Sequence, residues 1–239
     1  MSGHSKWSKI KHKKSAEDEK KAKNFSKLSK LITLAAREGG QKKETNSQLR
    51  IAIEKAKFFN LPQEKIERAI KRGTGEEKSV KLESALLEVF GPDNIFFLID
   101  VVTDNKKRSI SEIRKIVESF GAKIANRGVL WHFEKKGIIL IKVNSKNKEK
   151  IELLLIDLGV DDFFEKNNNL KIYLSPQKMD NVKKGLFKNK IEIENSSIEL
   201  VSKEKVEIDN KEAKKRVKEF FEALENHEDV QGIYSNFEE

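Results

Sequence analysis

The spacing of apolar residues changes near residue 80, and that change constrains the fold more than any other feature of the chain. Before it, apolar side chains recur every three or four residues: Phe25, Leu28, Leu31, Ile32, Ala35 and Ala36, then Leu49, Ala52, Ile53, Ala56 and Phe59, then Ile66, Ala69 and Ile70. Such spacing gathers each set on one face of a helix. After it, short runs rich in Val, Ile, Leu and Phe alternate with helical patterns, as small sheet-and-helix units require. The expectation is an α+β protein: an N-terminal three-helix domain followed by two small α/β (ferredoxin-like) domains.

Local signals place the elements. Ser15 with Asp18 three residues on resembles a capping box, and Gly39-Gly40 ends the first helix. Asn46 is placed to cap the second helix, Pro62 to open the third in its first turn, and Gly73 to close it. Leu82–Phe90 and Ile95–Val102 flank Gly91-Pro92-Asp93-Asn94 and read as a hairpin. A helix over Lys107–Phe120 stops at Gly121, and Val129–Phe133 reads as another strand. Residues 137–202 then give strand, helix, strand, strand, helix, strand: Ile138–Val143, 146–158, Asp162–Glu165, Leu170–Leu174, Pro176–Phe187 and Ile191–Val201. That order is the ferredoxin-like split βαββαβ. A last helix, Asn210–Asn226, and a strand, Val230–Phe237, have no partner in that unit and would complete the earlier sheet around it. The expected divisions are a basic flexible arm at 1–22, a helical nucleic-acid-binding domain at 23–78, an α/β domain at 79–136 plus 203–239, and the inserted domain at 137–202.

Charge is unevenly distributed. The net +10 resides wholly in the first third: residues 1–78 hold 21 Lys+Arg against 10 Asp+Glu, and residues 79–239 hold 28 against 29. A basic end on a neutral body points to a polyanionic partner, nucleic acid before an anionic membrane. Residues 1–14 carry too little apolar surface to offset ordering entropy, so they read as an arm that is mobile until bound. Lys6, Lys9, Lys11, Lys13 and Lys14 along it can each meet a phosphate as a point charge on a flexible stem. Trp7 can stack on an unpaired base or dock the arm on the helices, and His12 adds hydrogen bonding. Lys23, Lys27, Arg50, Arg68, Lys71 and Arg72 extend the candidate surface onto the helices. There the neighbouring Glu38, Glu54, Glu64 and Glu67 offer the alternative of ordinary surface pairing.

Nothing in the sequence argues for catalysis. The chain has no cysteine, and His4, His12, His132 and His227 do not form the helical pair of a zinc hydrolase. Asp161-Asp162 are adjacent, so in a strand they face opposite ways. Arg72-Gly73-Thr74-Gly75 ends a helix instead of opening one, the reverse of a phosphate cradle. No cofactor, metal or small-molecule substrate is expected. No run approaches the roughly 18 apolar residues of a membrane span, and the opening leads into lysines, not an apolar signal core. The expected location is the cytoplasm.

Several blocks carry a family resemblance. Gly3-His4-Ser5-Lys6-Trp7, Ile10-Lys11-His12-Lys13-Lys14 and Lys23-Asn24-Phe25-Ser26-Lys27-Leu28 form the first. Leu49-Arg50-Ile51-Ala52-Ile53, Ile66-Glu67-Arg68-Ala69-Ile70-Lys71-Arg72-Gly73 and Thr103-Asp104-Asn105 follow. Phe133-Glu134-Lys135-Lys136-Gly137 and Asp229-Val230-Gln231-Gly232-Ile233-Tyr234-Ser235-Asn236-Phe237 complete the set. In these the chain resembles the YebC/PmpR family, which includes the mitochondrial translational activator of cytochrome oxidase subunit one. It departs at Leu87-Glu88-Val89-Phe90-Gly91-Pro92, where the family usually carries a Tyr and an additional Gly, and at Ser47, where proline is common. The resemblance implies three domains, the last inserted in the second, and a non-catalytic regulator of gene expression. Its usual label is a DNA-binding transcriptional regulator; its competing role is a translation factor bound to ribosomal RNA and the ribosome. A third reading of the residues is a protein–protein adaptor with a solubilising basic end. No helix-turn-helix with an evident recognition helix is visible, so the lysines would position nucleic acid without specifying its sequence.

Overall fold

The computed structural model describes residues 4–78, 80–143, 147–166 and 169–238, except for the side chains of residues 4–20 and 166. Three main hydrophobic cores follow one another along the chain. The first is helical. α1 (His4–Gly39), α2 (Ser47–Phe58) and α3 (Gln63–Thr74) close on Leu28, Ile32, Ala36, Leu49, Ala56, Ile66 and Ala69. α1 begins at His4 and not at Ser15, so it overlaps most of the segment read as an arm. Neither Gly nor Pro interrupts residues 4–38, and Lys and Ala are good helix formers.

Asn46 caps α2 as expected, accepting from the Leu49 amide at 3.0 Å. Its side-chain NH₂ also donates to the Ala35 and Gly40 carbonyls, so one residue finishes α1 and starts α2. Pro62 precedes α3 as its N-cap, one place earlier than expected, and its carbonyl accepts from Lys65 and Ile66. Gly73 does not close α3. It lies buried within the helix against α1, and the closing residue is Gly75 in the left-handed region at φ 85°.

The second core surrounds a sheet ordered β3-β1-β2-β9. β1 (Glu83–Phe90) and β2 (Phe96–Thr103) form the expected antiparallel hairpin, from Glu83 opposite Thr103 to Phe90 opposite Phe96. α4 (Lys106–Ser119) and the late α7 (Lys211–Glu225) cover one face, where Phe97 meets Phe220 edge-on at 4.9 Å. Residues 129–132 are not a strand. β3 (Lys123–Ala125) comes earlier, and Leu130–His132 make a 3-10 turn held by the Glu88 carboxylate on the Val129 and Leu130 amides.

β4 runs from Phe133 to Lys142, continuous across residues 136 and 137, and enters a third core. There α5 (Lys148–Asp157), β5 (Asp162–Lys166), β6 (Asn169–Leu174), α6 (Met179–Lys188) and β7 (Ile193–Ser202) complete a sheet ordered β5-β6-β4-β7, antiparallel throughout. This is the split βαββαβ unit. The chain then returns through β8 (Val206–Glu207) and α7. β9 (Val230–Ser235) pairs antiparallel with β2, and β10 (Phe237–Glu238) pairs parallel with β8. The ferredoxin-like unit is thus inserted in the α/β unit built on the second core. β8 and β10 are too short to carry a period-2 signal, which is why the sequence did not show them.

Candidate nucleic-acid interface

The basic residues on the helical unit divide into those held by the protein and those presented to solvent. The side chains of Lys6, Trp7, Lys9, Lys11, His12, Lys13 and Lys14 lie outside the described residues. Lys23 and Lys71 are exposed. Lys27 turns inward and donates to the Glu225 carbonyl on α7 at 2.6 Å. Burial pushes its ammonium pKa down, against the pull of Glu225.

The arginines have structural work that sequence spacing did not reveal. Arg50 Nη2 lies 2.9 and 3.0 Å from the two carboxylate oxygens of Asp180 on α6. Arg68 Nε and Arg72 Nε lie 3.2 and 3.7 Å from Glu77 Oε2, beyond the end of α3. Arg37 donates to the Val80 and Leu82 carbonyls. Each partner is distant in sequence or in a loop, and none is the neighbouring glutamate that surface pairing would select.

A groove of about 490 Å³ brings together residues the sequence did not link. The 41–44 loop supplies Lys42 and Lys43, the last turn of α2 supplies Lys57, and the last turn of α3 supplies Lys71. Ile53, Ile66 and Ile70 also line it, along with Glu44, Glu67 and Glu76. Two of those carboxylates are occupied: Glu67 accepts from Gln63 at 3.0 Å and Glu76 from Thr74 at 3.2 Å. On the same helical unit, the ammonium groups of Lys21 and Lys65 lie over the Phe25 ring at 5.6 and 5.2 Å. Lys42, Lys43 and Lys57 were missed because a lysine in a loop or a last helical turn also suits the carbonyl end of a helix. Only the packing shows that they share one groove with Lys71. Lysines on such a rim can hold phosphates as point charges, which positions a strand without reading its bases.

Besides the Lys27 bond to Glu225, side-chain contacts between carboxylates and their partners seat the helical unit on the α/β units. Lys30 meets Asp229, Arg50 meets Asp180, and Glu54 Oε2 accepts from Lys183 at 2.7 Å and Ser196 at 2.9 Å. Elsewhere, the His132 ring lies tilted against Phe96 with centroids 4.6 Å apart, and His227 Nε2 lies 3.1 Å from Glu112. Among the described residues no group of three His, Cys, Asp or Glu is placed to hold a metal ion, and no helix is long and apolar enough to cross a membrane.

Fold and surface together define a three-unit α+β protein, a basic helical end seated on a sheet unit that carries a second sheet unit as an insertion. The chain belongs to the TACO1/YebC family. Residues 5–76 match the family's N-terminal domain, and residues 82–237 match its second and third domains. It is 42% identical over 241 residues to a "Probable transcriptional regulatory protein" of Halothermothrix orenii, covering all of this chain and 95% of the relative. A protein of the same name from Pseudothermotoga lettingae is 43% identical over 240 residues, covering all of this chain and 94% of that one. A crystal structure of a conserved hypothetical protein, Aq1575 from Aquifex aeolicus, superposes with a TM-score of 0.82 at 35% identity, covering 91% of this chain and 90% of that one.

Proposed function

We propose that this protein is a non-catalytic regulator of gene expression that binds nucleic acid through its helical end. The observation that carries the reading is the location of the charge: the entire positive excess lies in residues 1–78, and exposed lysines there line an open groove. The relatives' name, probable transcriptional regulatory protein, favours DNA as the target and transcription as the process. Binding by lysines to phosphates would fall about 10³–10⁵-fold between 50 and 200 mM salt if roughly 6–10 phosphates were neutralised.

A second reading, an RNA-binding translation factor that engages the ribosome, is favoured by one observation. Arg68 and Arg72, the side chains of α3 suited to bidentate base contacts, are engaged by Glu77. A surface that reads shape and charge suits folded RNA as well as a promoter. The deciding experiment is ultraviolet crosslinking in cells followed by sequencing of the attached DNA and RNA. Reads at discrete promoters establish the transcriptional role, and reads piled on a few ribosomal RNA segments replace it with the translational one. Absence of both would sink the nucleic-acid reading.

A further inference from the structure

Trp131 is 79% exposed, although it sits in the middle of a firmly held turn. The Glu88 carboxylate accepts from the Val129 and Leu130 amides at 2.6 and 2.9 Å. Lys203 Nζ donates to the Trp131 carbonyl at 2.8 Å, and the Lys203 amide donates to the His132 carbonyl at 2.9 Å. The backbone is therefore fixed on both sides of the residue while its indole is left to solvent. A tryptophan on a loose loop could fold back onto apolar surface; this one is held out.

The indole does not stand alone. Phe90 on β1 lies directly opposite Phe96 on β2 and Lys123 on β3, so the three project from one face of the second sheet. It is the face away from α4 and α7, whose core takes the alternate residues Val89, Phe97 and Ile124. Phe90, 46% exposed, meets Phe96 edge-on at 5.6 Å, and the Phe96 and His132 centroids are 4.6 Å apart. A row thus runs from Lys123 through Phe90, Phe96 and His132 to Trp131 and Lys203, with an ammonium at each end and rings between. Residues 119–133 contain Lys123 and Arg127 but no Asp or Glu. Both cations are exposed, and neither has an ion pair among the described residues. Glu88 shares the face with Phe90, and its carboxylate is occupied by the two amides.

We infer that this face binds unpaired bases of single-stranded RNA, with Trp131 and Phe90 stacking on bases and Lys123 and Arg127 meeting phosphates. The inference rests on the nucleic-acid reading above and gives it a second contact surface, on the α/β body. Three arguments select the occupant. Rings interleaved with cations match the alternation of bases and phosphates along a strand. Lysine is depleted where proteins bind proteins, whereas this row is bracketed by lysines. A duplex keeps its base faces covered, while RNA loops and ends leave them open to an aromatic ring. The cations are not a by-product of general basicity, because residues 79–239 hold 28 Lys+Arg against 29 Asp+Glu.

The test uses the full chain with Trp7→Phe, which leaves Trp131 as the one tryptophan. A labelled single-stranded RNA of about 12 nucleotides and its perfect duplex are titrated, with affinity read by anisotropy and tryptophan emission read alongside. The single strand should quench the emission, and Trp131→Ala should weaken its binding about tenfold or more. The salt slope should not change in that variant, since stacking releases no counterions, whereas Lys123→Gln should reduce it by about 1. Trp131→Phe should recover part of the lost affinity. Because the indole is exposed, Trp131→Ala should leave the melting temperature unchanged, which separates lost binding from lost fold. If the strand binds without quenching, with an affinity that Trp131→Ala leaves unchanged and Lys71→Ala lowers, the platform is not a contact although the basic end still grips RNA. A duplex that quenches as strongly as the strand would overturn the contact with unpaired bases. A dimer that Trp131→Ala dissolves in sedimentation, with RNA affinity unaffected, would assign the face to a second copy of the chain instead. If neither strand nor duplex binds, the nucleic-acid reading fails and this inference fails with it.

Discussion

Lys30 Nζ, on α1, lies 2.5 Å from Asp229 Oδ1, in the turn just before β9, and the Asp229 side chain is wholly buried. Its other oxygen accepts from Ser109 Oγ at 2.6 Å and lies 3.3 Å from Arg108 Nη2. The Asp229 carbonyl accepts from the Val102 amide. One carboxylate therefore joins the helical unit to both chain segments, before and after the insertion, of the sheet unit that carries it. Removing a partner from a buried pair leaves the other uncompensated, so Asp229→Ala should cost about 3–5 kcal/mol. Lys30→Ala should cost less, since Ser109 and Arg108 remain. Urea unfolding of both variants and the double variant checks this, and the coupling between the two should be well above the error of additivity.

The same carboxylate sets an acid limit. Burial alone pushes its pKa up, but hydrogen bonds from Lys30 and Ser109 outweigh that and hold it at about 2, below the ordinary 3.8. A folded pKa below the unfolded one adds stability that is fully present above the unfolded value and is lost as pH falls through the folded one. That contribution is about 2 kcal/mol, lost between about pH 4 and pH 2. In Asp229→Asn this part of the acid dependence should be absent. Urea midpoints compared between pH 5 and pH 2 in the two proteins measure it. Parallel curves would mean that Asp229 does not titrate in that window.

Basic residues should separate into two groups in binding assays. Lys43 and Lys71 line the groove and are exposed, so replacing either by alanine should weaken nucleic-acid binding about equally across sequences and reduce the salt slope by about 1. Arg50 is occupied by Asp180, so Arg50→Ala should leave the slope nearly unchanged. The measurement is the observed affinity against salt concentration for each variant. A slope change in Arg50→Ala equal to that in Lys71→Ala would place Arg50 on the nucleic acid.

How much of this was legible in the sequence depends on the range of the interaction. The periods of Leu28–Ala36 and Leu49–Ala56 were readable because a helix face is set within a few residues. The Asn46 cap was readable for the same reason. That Val230–Phe237 would complete the earlier sheet was inferred by elimination, and its place beside β2 was not read, since nothing local announces a partner over a hundred residues away. The partners of Arg50 and Lys27 could not be read at all, because Asp180 and Glu225 are brought near only by docking of folded units. The groove is a similar case. Lys42, Lys43, Lys57 and Lys71 come from three elements, and their grouping exists only once α2 and α3 are packed.

Gly73 links packing to the groove. A Cβ placed on it would lie 2.5 Å from the Thr33 carbonyl oxygen and 2.7 Å from the Ala36 Cβ, so α1 and α3 would have to separate. Backbone on one side cannot yield as a flexible side chain would. The buried bond from Thr33 Oγ1 to the Ala69 carbonyl, 3.0 Å long, spans the same contact and would stretch with it. Gly73→Ala should therefore cost about 1–3 kcal/mol. Because α3 carries Lys71, its displacement should also weaken nucleic-acid binding. Gly75→Ala is the control: its added Cβ meets nothing within 4 Å, and its cost, about 1–2 kcal/mol, comes only from the left-handed backbone. Thermal unfolding and binding measured on both variants decide the matter. If both lose stability but only Gly73→Ala loses affinity, the α1–α3 contact sets the shape of the groove. Equal affinity in the two would show that binding does not depend on the α1–α3 spacing.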